Sequence, residues 1–225
     1  MTKKMTKIKL TTFTLVLIIS GLFADENYGH FIIARLKYGG GGDWYCDASS
    51  LPNLLQFIDD NTDIKVNLKE KRTAPEDNDF FAFPYLYMTG HGNIRFTESE
   101  IDRLRKHLTN GGFLHVDDNY GLDQSFRREI KRIFPNQDLV ELPFDHDIFH
   151  SYYDFPKGLP KIHEHDNKPP RGFGIFYEGR LVVFYTYECD LGDGWESPNV
   201  HNDPPEKRLA ALKMGTNIII YALTN

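Results

Sequence analysis

Short apolar runs alternate with helical patterns through the middle of this chain, and this alternation constrains the fold most strongly. The runs at residues 31–36, 84–88, 113–116 and 139–142 are typical of buried strands. Parallel strands that are covered on both faces have this continuous apolar character. The alternation therefore predicts an α/β fold of three layers, α-β-α, in which helices cover both faces of a mostly parallel sheet.

The best-defined predicted helix begins after Thr97. Thr97 and Glu100 have the spacing of a capping box, and Gly111 provides a left-handed C-terminal residue. Between them the apolar residues recur at helical spacing, and His107 is expected to face solvent. Other helices are predicted after Ser49 or Ser50, through residues 126–134, and after Pro205.

Two further segments depart from the simple alternation. Residues 174–177 and 181–187 flank a Glu-Gly-Arg turn, which predicts an antiparallel hairpin added to the parallel sheet. Residues 143–171 are rich in proline, histidine, aspartate and aromatic residues. Long connections of this kind are usually functional or mobile.

The first 24 residues have the pattern of a secretory signal peptide. Four lysines precede an apolar run that ends at Phe23, and Ala24 and two acidic residues follow. An uncleaved anchor is the alternative, but the run is shorter than the ~20 residues that a membrane span requires. We therefore predict export to the periplasm or the extracellular space, with residues 25–225 forming a single domain.

The charge of the chain limits its partners. The formal net charge is −6, and cleavage after Ala24 would remove four lysines and no acid. Nucleic-acid binding is not expected, because it depends on neutralising phosphates with cations. The apolar run at 218–223 is too short to span a membrane, so no transmembrane segment is expected in the mature chain. Cys46 and Cys189 are compatible with either a disulfide or two free thiols.

Polar residues follow each predicted strand. The stretch GGFLHVDDNYG (111–121) ends its apolar run on two adjacent carboxylates, Asp117 and Asp118. Ligands bind beyond the carboxyl ends of parallel strands, and these strands would bring most such residues to one edge. The residues that follow the other strands are Asp43 and Trp44; His91; Asp145, His146, Asp147 and His150; and Glu188, Asp190, Asp193 and Glu196.

This arrangement predicts a polar site with a divalent metal as its candidate cofactor. Imidazole and carboxylate are suitable metal ligands, and a metal ion would relieve the repulsion between clustered acids. The predicted ligands are His91, Asp117, Asp118, His146 and His150. Asp117, Asp118 and His91 are also candidates for general acid–base catalysis.

The same residues have structural interpretations. An aspartate at the end of a strand often forms a turn or caps a helix. His115 is expected to pack inside its strand, and His163 and His165 are interpreted as loop residues. The glycine run 39–42 is interpreted as an ordinary turn, with a flexible binding lip as the alternative.

Aromatic residues in the loops suggest a ligand surface beside the polar edge. The predicted ligand-binding residues are Asp43, Trp44, Tyr120 and Trp195, and Tyr152 and Tyr153 belong to the same aromatic set. A carbohydrate or another envelope protein is the expected partner.

Three segments together resemble a known family. TGHGNIRFTESEIDRLRKHLTNGGFLHVDD, LPFDHDIFHSYYDF and YTYECDLGDGWE are similar to the bacterial domain-of-unknown-function family 4159. The resemblance implies a flavodoxin-like fold related to class I glutamine amidotransferase domains. Glutamine hydrolysis needs a cysteine at a strand–helix elbow, where this chain has Gly90-His91-Gly92. No catalytic residue is therefore carried over.

The sequence leaves three functions open. The first is a module in the cell envelope that binds a ligand or partner through the polar edge. The alternative is a metal-assisted hydrolase that uses the aspartates and histidines. A scaffold component of an envelope complex is a third possibility. The fold alone does not decide between them.

Overall fold

The computed structural model describes residues 29–225, so the predicted signal peptide lies outside the described part of the chain. Seven strands form one sheet in the order β2-β1-β3-β4-β7-β6-β5. The strands are β1 (Ala34–Leu36), β2 (Lys71–Thr73), β3 (Tyr85–Met88), β4 (Phe113–Asp117), β5 (Val140–Glu141), β6 (Arg171–Tyr177) and β7 (Arg180–Tyr187). The first four strands and β7 are parallel, whereas β6 runs antiparallel to both β7 and β5.

Helices cover both faces of this sheet. They are α1 (Ser50–Asn61), α2 (Glu98–Thr109), α3 (Asp123–Ile133), α4 (Leu191–Trp195), α5 (Pro198–His201) and α6 (Pro205–Thr224). Buried residues of α1, α4 and α6 share one core, and those of α2 and α3 share the other. The predicted three-layer α/β fold and its antiparallel hairpin are therefore confirmed.

Alternation along the strands assigns side chains to the two cores. In β3, Tyr85 and Tyr87 pack with the α1–α6 core, and Leu86 and Met88 pack with the α2–α3 core. This is the period of two that a strand imposes, because successive side chains point to opposite faces. Both faces are apolar because both are covered.

The edge strand β2 was not predicted from the sequence. Lys71 and Arg72 are exposed, so the strand lacks the apolar character by which the central strands were recognised.

The chain passes from β1 outward to β2 and then returns to β3 on the other side of β1. The loops that follow β1 and β3 therefore diverge, which is where ligands bind in open α/β sheets.

The C-terminal helix α6 contributes its apolar residues to the core. Met214, Ile218 and Ile219 are fully buried, so the apolar run near the C-terminus packs beneath the sheet. Within residues 29–225, no helix combines the length and the apolar character that crossing a membrane requires.

The predicted capping box at the start of α2 is present. The Thr97 hydroxyl accepts from the Glu100 backbone N–H at 3.2 Å, and the Glu100 carboxylate accepts from the Thr97 N–H at 2.7 Å. We expect Thr97→Ala to lower the free energy of unfolding by about 1 kcal/mol, because the helix loses one of these bonds. Urea denaturation measures the change. Ser99→Ala is the control and should not destabilise the protein; equal effects of the two substitutions would contradict the cap's contribution.

Candidate functional site at the carboxyl edge of the sheet

The two adjacent carboxylates at the end of β4 have different surroundings. Asp117 is fully buried on the side of α4. One of its oxygens lies 2.5 Å from the Thr186 hydroxyl, and the other accepts from the Gly192 N–H at 2.6 Å. The Leu191 N–H lies 3.3 Å from the first oxygen. Burial raises the pKa of Asp117 well above its usual range. Asp117 thus accepts hydrogen bonds from the free backbone N–H groups in the first turn of α4, as a capping residue does.

Asp118 faces a cleft on the other side of the strand. The cleft has a volume of about 350 Å³ and is lined by Asp118, Tyr120, His165, Lys168, Glu188 and their neighbours. One oxygen of Asp118 accepts from the Glu188 backbone N–H at 3.2 Å. Burial raises the pKa of Asp118 to about 7. A carboxyl group with such a pKa can donate or accept a proton near neutral pH.

A cluster of histidines and aspartates lies beside this cleft, and we call it the histidine–aspartate cluster. It consists of His163, His165, Asp190, Asp193, His201 and Asp203. His163 Nδ1 lies 2.7 Å from one oxygen of Asp193, and His201 Nε2 lies 3.3 Å from the other. The potential metal-binding atoms of these three residues all lie within 4.8 Å of one another. That spacing permits a single cation to contact all three.

Two more carboxylates form hydrogen bonds with His163 and His165. Asp203 lies 3.1 Å from His163 Nε2, and Asp190 lies 2.8 Å from His165 Nε2. The second oxygen of each aspartate is buried and has no hydrogen-bond partner among residues 29–225. Hydrogen bonds to Asp190 and Asp193 raise the pKa of His163 to about 10. Burial alone would raise the pKa of Asp190, but hydrogen bonds from His163 and His165 outweigh it and lower the pKa.

The backbone around this cluster is strained. Glu188 and Asp190 both have φ of 57°, and Asn202 has φ of 59°. Residues other than glycine rarely adopt this left-handed backbone conformation, and those that do concentrate at functional sites. Asp47, at 55°, is a fourth such residue at the same edge.

A second group of side chains lies where the loops after β1 and β3 diverge. His91 Nδ1 lies 3.1 Å from one oxygen of Asp43, and Cys46 supplies a third metal-binding atom within 4.8 Å of both. Asn119 connects this group to the rest of the edge, donating to the Cys46 sulfur at 3.5 Å and to Asp47 at 3.2 Å. Burial and the nearby Asp193 raise the pKa of Asp47 to about 6. Polar groups are therefore continuous along the edge.

His146 and His150 lie away from this edge, so the five predicted metal ligands do not come together. His146 packs against Phe176 and Tyr221, and Phe176 is at the turn end of the β6–β7 hairpin. His150 pairs with Asp154 at 2.6 Å. His146 and His150 lie away from the edge because Ile148 and Phe149 are buried. Their burial places the segment after β5 over the face of the sheet beside α6. The prediction that these histidines reach the edge is wrong.

The aromatic residues have different locations as well. Trp195 is fully buried and donates to the Ala211 carbonyl at 2.8 Å, so it belongs to the core and not to a ligand surface. Tyr120 lies at the cleft, is 62% exposed, and stacks on His165 with an angle of 10° between the rings. Trp44 packs edge-on against Tyr45. Tyr152 bonds the Asn61 carbonyl at the end of α1, away from the cleft.

The sequence does not single out the histidines of the cluster. It predicts only loop residues at His163 and His165 and indicates no role for His201. The available signals were the spacing His163-x-His165 within the long segment 143–171, and the acids directly after β7.

Cys46 and Cys189 are both free thiols, which answers the open question of a disulfide. His115 is packed inside β4, as predicted.

Comparison with known proteins gives a family but no activity. A family model with the description "Domain of unknown function (DUF4159)" matches residues 32–223, which is most of the chain. No curated protein matches the chain.

Proposed function

Because the chain belongs to the DUF4159 family, whose description assigns no activity, we propose its function from the site itself: a metal-assisted hydrolase. In this proposal His163, Asp193 and His201 hold one divalent metal ion at the carboxyl edge. Asp118 supplies acid–base catalysis from the adjoining cleft.

The observation that carries this proposal is the convergence of His163, Asp193 and His201 within 4.8 Å. Two imidazoles and one carboxylate form a ligand set that zinc enzymes use, and three protein ligands leave a fourth position for water. Asp203 behind His163 supports the same conclusion. A carboxylate that accepts from the distal nitrogen of a ligating histidine fixes its orientation, as in many metal centres.

The cleft provides a place for the substrate next to these ligands. His165 lines the cleft and also contacts Asp190 of the cluster, so the two are joined by one side chain. A bound metal ion would activate water and polarise the bond that is attacked. Asp118 faces the same cleft, and its position suits proton transfer to the leaving group.

The setting of this activity remains a prediction from the sequence. The signal-peptide pattern favours export to the bacterial envelope, with the enzyme acting in the periplasm or outside the cell. A carbohydrate is a candidate substrate, because the exposed Tyr120 ring and the carboxylates of the cleft suit a polyhydroxylated molecule. Recognition of an envelope protein through the same surface is the second candidate function.

We expect His163→Gln to abolish binding of one equivalent of Zn²⁺, with a loss of affinity greater than about 100-fold, because a ligand is removed. Asp203→Asn should weaken the same site by about 10- to 100-fold, as loss of an outer-shell partner does. Calorimetric titration of chelator-treated protein measures both. His150→Gln is the matched control, since His150 has similar exposure and also pairs with an aspartate, and its metal binding should be unchanged.

The hydrolytic part is tested with p-nitrophenyl acetate and bis(p-nitrophenyl) phosphate as probes. Turnover should require the metal, and Asp118→Asn should reduce it by about 10²- to 10⁴-fold while the metal content stays the same. Failure of the wild-type protein to bind Zn²⁺ would disprove the metal centre. Metal binding without chelator-sensitive turnover of either probe would disprove metal-assisted ester and phosphodiester hydrolysis and favour the binding module.

A further inference from the structure

The group formed by Asp43, Cys46 and His91 does not belong to the histidine–aspartate cluster. Asp43 and Cys46 come from the loop after β1, and His91 comes from the loop after β3. These two loops bound the crevice at which the strand order reverses. Crevices of this type are the usual ligand sites of open α/β sheets.

The geometry of the three side chains suits a single ion. His91 Nδ1 lies 3.1 and 3.3 Å from the two oxygens of Asp43. The Cys46 N–H donates to the Asp43 carbonyl at 2.8 Å, and this turn brings the thiol to the same side as the carboxylate. One potential ligand atom from each residue lies within 4.8 Å of the other two.

Hydrogen bonds hold the two loops in register. Gly42 donates to the Asn93 carbonyl at 3.0 Å, Asp43 donates to the His91 carbonyl at 3.3 Å, and the His91 N–H donates to the Asp43 side chain. Gly40 has φ of 107°, and a Cβ there would lie 2.7 Å from the Arg95 nitrogen. The glycine run is therefore a closely packed turn and not a flexible lip. A preorganised set of ligands binds metal at a lower entropic cost.

The surroundings of the thiol favour a metal ligand over a catalytic nucleophile. The ligand atoms of Asp43 and Cys46 lie within 4.8 Å of each other, and the Asp47 carboxylate also lies close to the Cys46 thiol. Nearby negative charge disfavours a free thiolate, whereas nucleophilic cysteines lie in electropositive surroundings. The same carboxylates attract a cation, and a bound metal ion displaces the thiol proton.

We propose that Asp43, Cys46 and His91 form a second metal site, which binds a divalent transition metal of the zinc and cobalt class. Thiolate, imidazole and carboxylate together match the ligand preference of these ions. The His91 side chain is 51% exposed, so the fourth position faces solvent. The site is independent of the proposed hydrolase, because it shares no ligand with the histidine–aspartate cluster.

Cobalt provides the test, because a Co²⁺–thiolate bond gives a ligand-to-metal charge-transfer absorption in the near ultraviolet. Adding Co²⁺ to the purified protein should produce this absorption and saturate it at one equivalent per thiolate site. Cys46→Ser should remove the absorption. Cys189→Ala is the matched control, since its thiol is fully buried outside the group, and it should retain the absorption.

Variants of the other cluster separate the two sites. His163→Gln should keep the thiolate absorption even though it loses one equivalent of bound metal. Circular dichroism checks that each variant is folded, and His91→Gln, which leaves the thiol in place, should weaken cobalt binding by at least about tenfold. Absence of the absorption in the wild-type protein, or its persistence in Cys46→Ser, would overturn the second site. Alkylation of Cys46 by iodoacetamide at a rate that Co²⁺ does not slow would also overturn it.

Discussion

Replacement of Asp117 by alanine is expected to lower the free energy of unfolding by about 3–5 kcal/mol. The carboxylate is fully buried and is the acceptor for the Thr186 hydroxyl and for two N–H groups at the start of α4. Its removal leaves buried donors without partners, and each unpaired donor costs about 1–3 kcal/mol. Denaturation with urea measures the loss.

Asp117→Asn is the matched variant for this prediction. Asparagine keeps the shape and one acceptor oxygen, so it should recover a large part of the stability lost in Asp117→Ala. The alanine variant should also weaken metal binding at Asp193, because α4 carries that residue and loses its anchor. Equal stability of Asp117→Ala and the wild-type protein would show that the buried carboxylate does not hold α4.

The sequence predicted the sheet well because its central strands are apolar on both faces. The position of the carboxyl edge could be predicted from this sheet, because the carboxyl ends of parallel strands lie at the same edge. Asp118 and Asp190 do lie on that side of the molecule. The period of two explains why the adjacent acids separate, Asp117 toward α4 and Asp118 toward the cleft. Strand periodicity alone is sufficient for this step.

The rest depended on contacts that are distant in sequence. His163 and His165 approach the edge only because the segment before β6 folds back over the acids after β7. His107 was expected to face solvent, yet it is buried, because Gly112 has no side chain and leaves room for the imidazole. His146 was misplaced because the burial of Ile148 and Phe149 determines the path of its segment. No local pattern in the sequence reports such packing.

The second large effect is expected for Arg35, which supports the loop carrying Cys46. Arg35 has a fully buried side chain in β1 and donates to Glu70 at 2.9 Å and to the backbone carbonyls of Cys46 and Asp47 at 2.8 and 3.2 Å. Arg35→Ala should lower the free energy of unfolding by about 3–5 kcal/mol. The substitution empties a large buried volume and leaves the Cys46 carbonyl without its guanidinium donor.

Arg72 is a well-matched control for this prediction, because it binds the same carboxylate. Its guanidinium lies 2.8 Å from the other oxygen of Glu70, but its side chain is 51% exposed. Arg72→Ala should cost less than about 1 kcal/mol, since exposed ion pairs contribute little. Arg35→Lys keeps the positive charge but lacks the planar fork that reaches three acceptors, so it should remain clearly destabilised. If Arg35→Ala and Arg72→Ala lose equal stability, Glu70 alone carries the effect and the loop contacts contribute nothing.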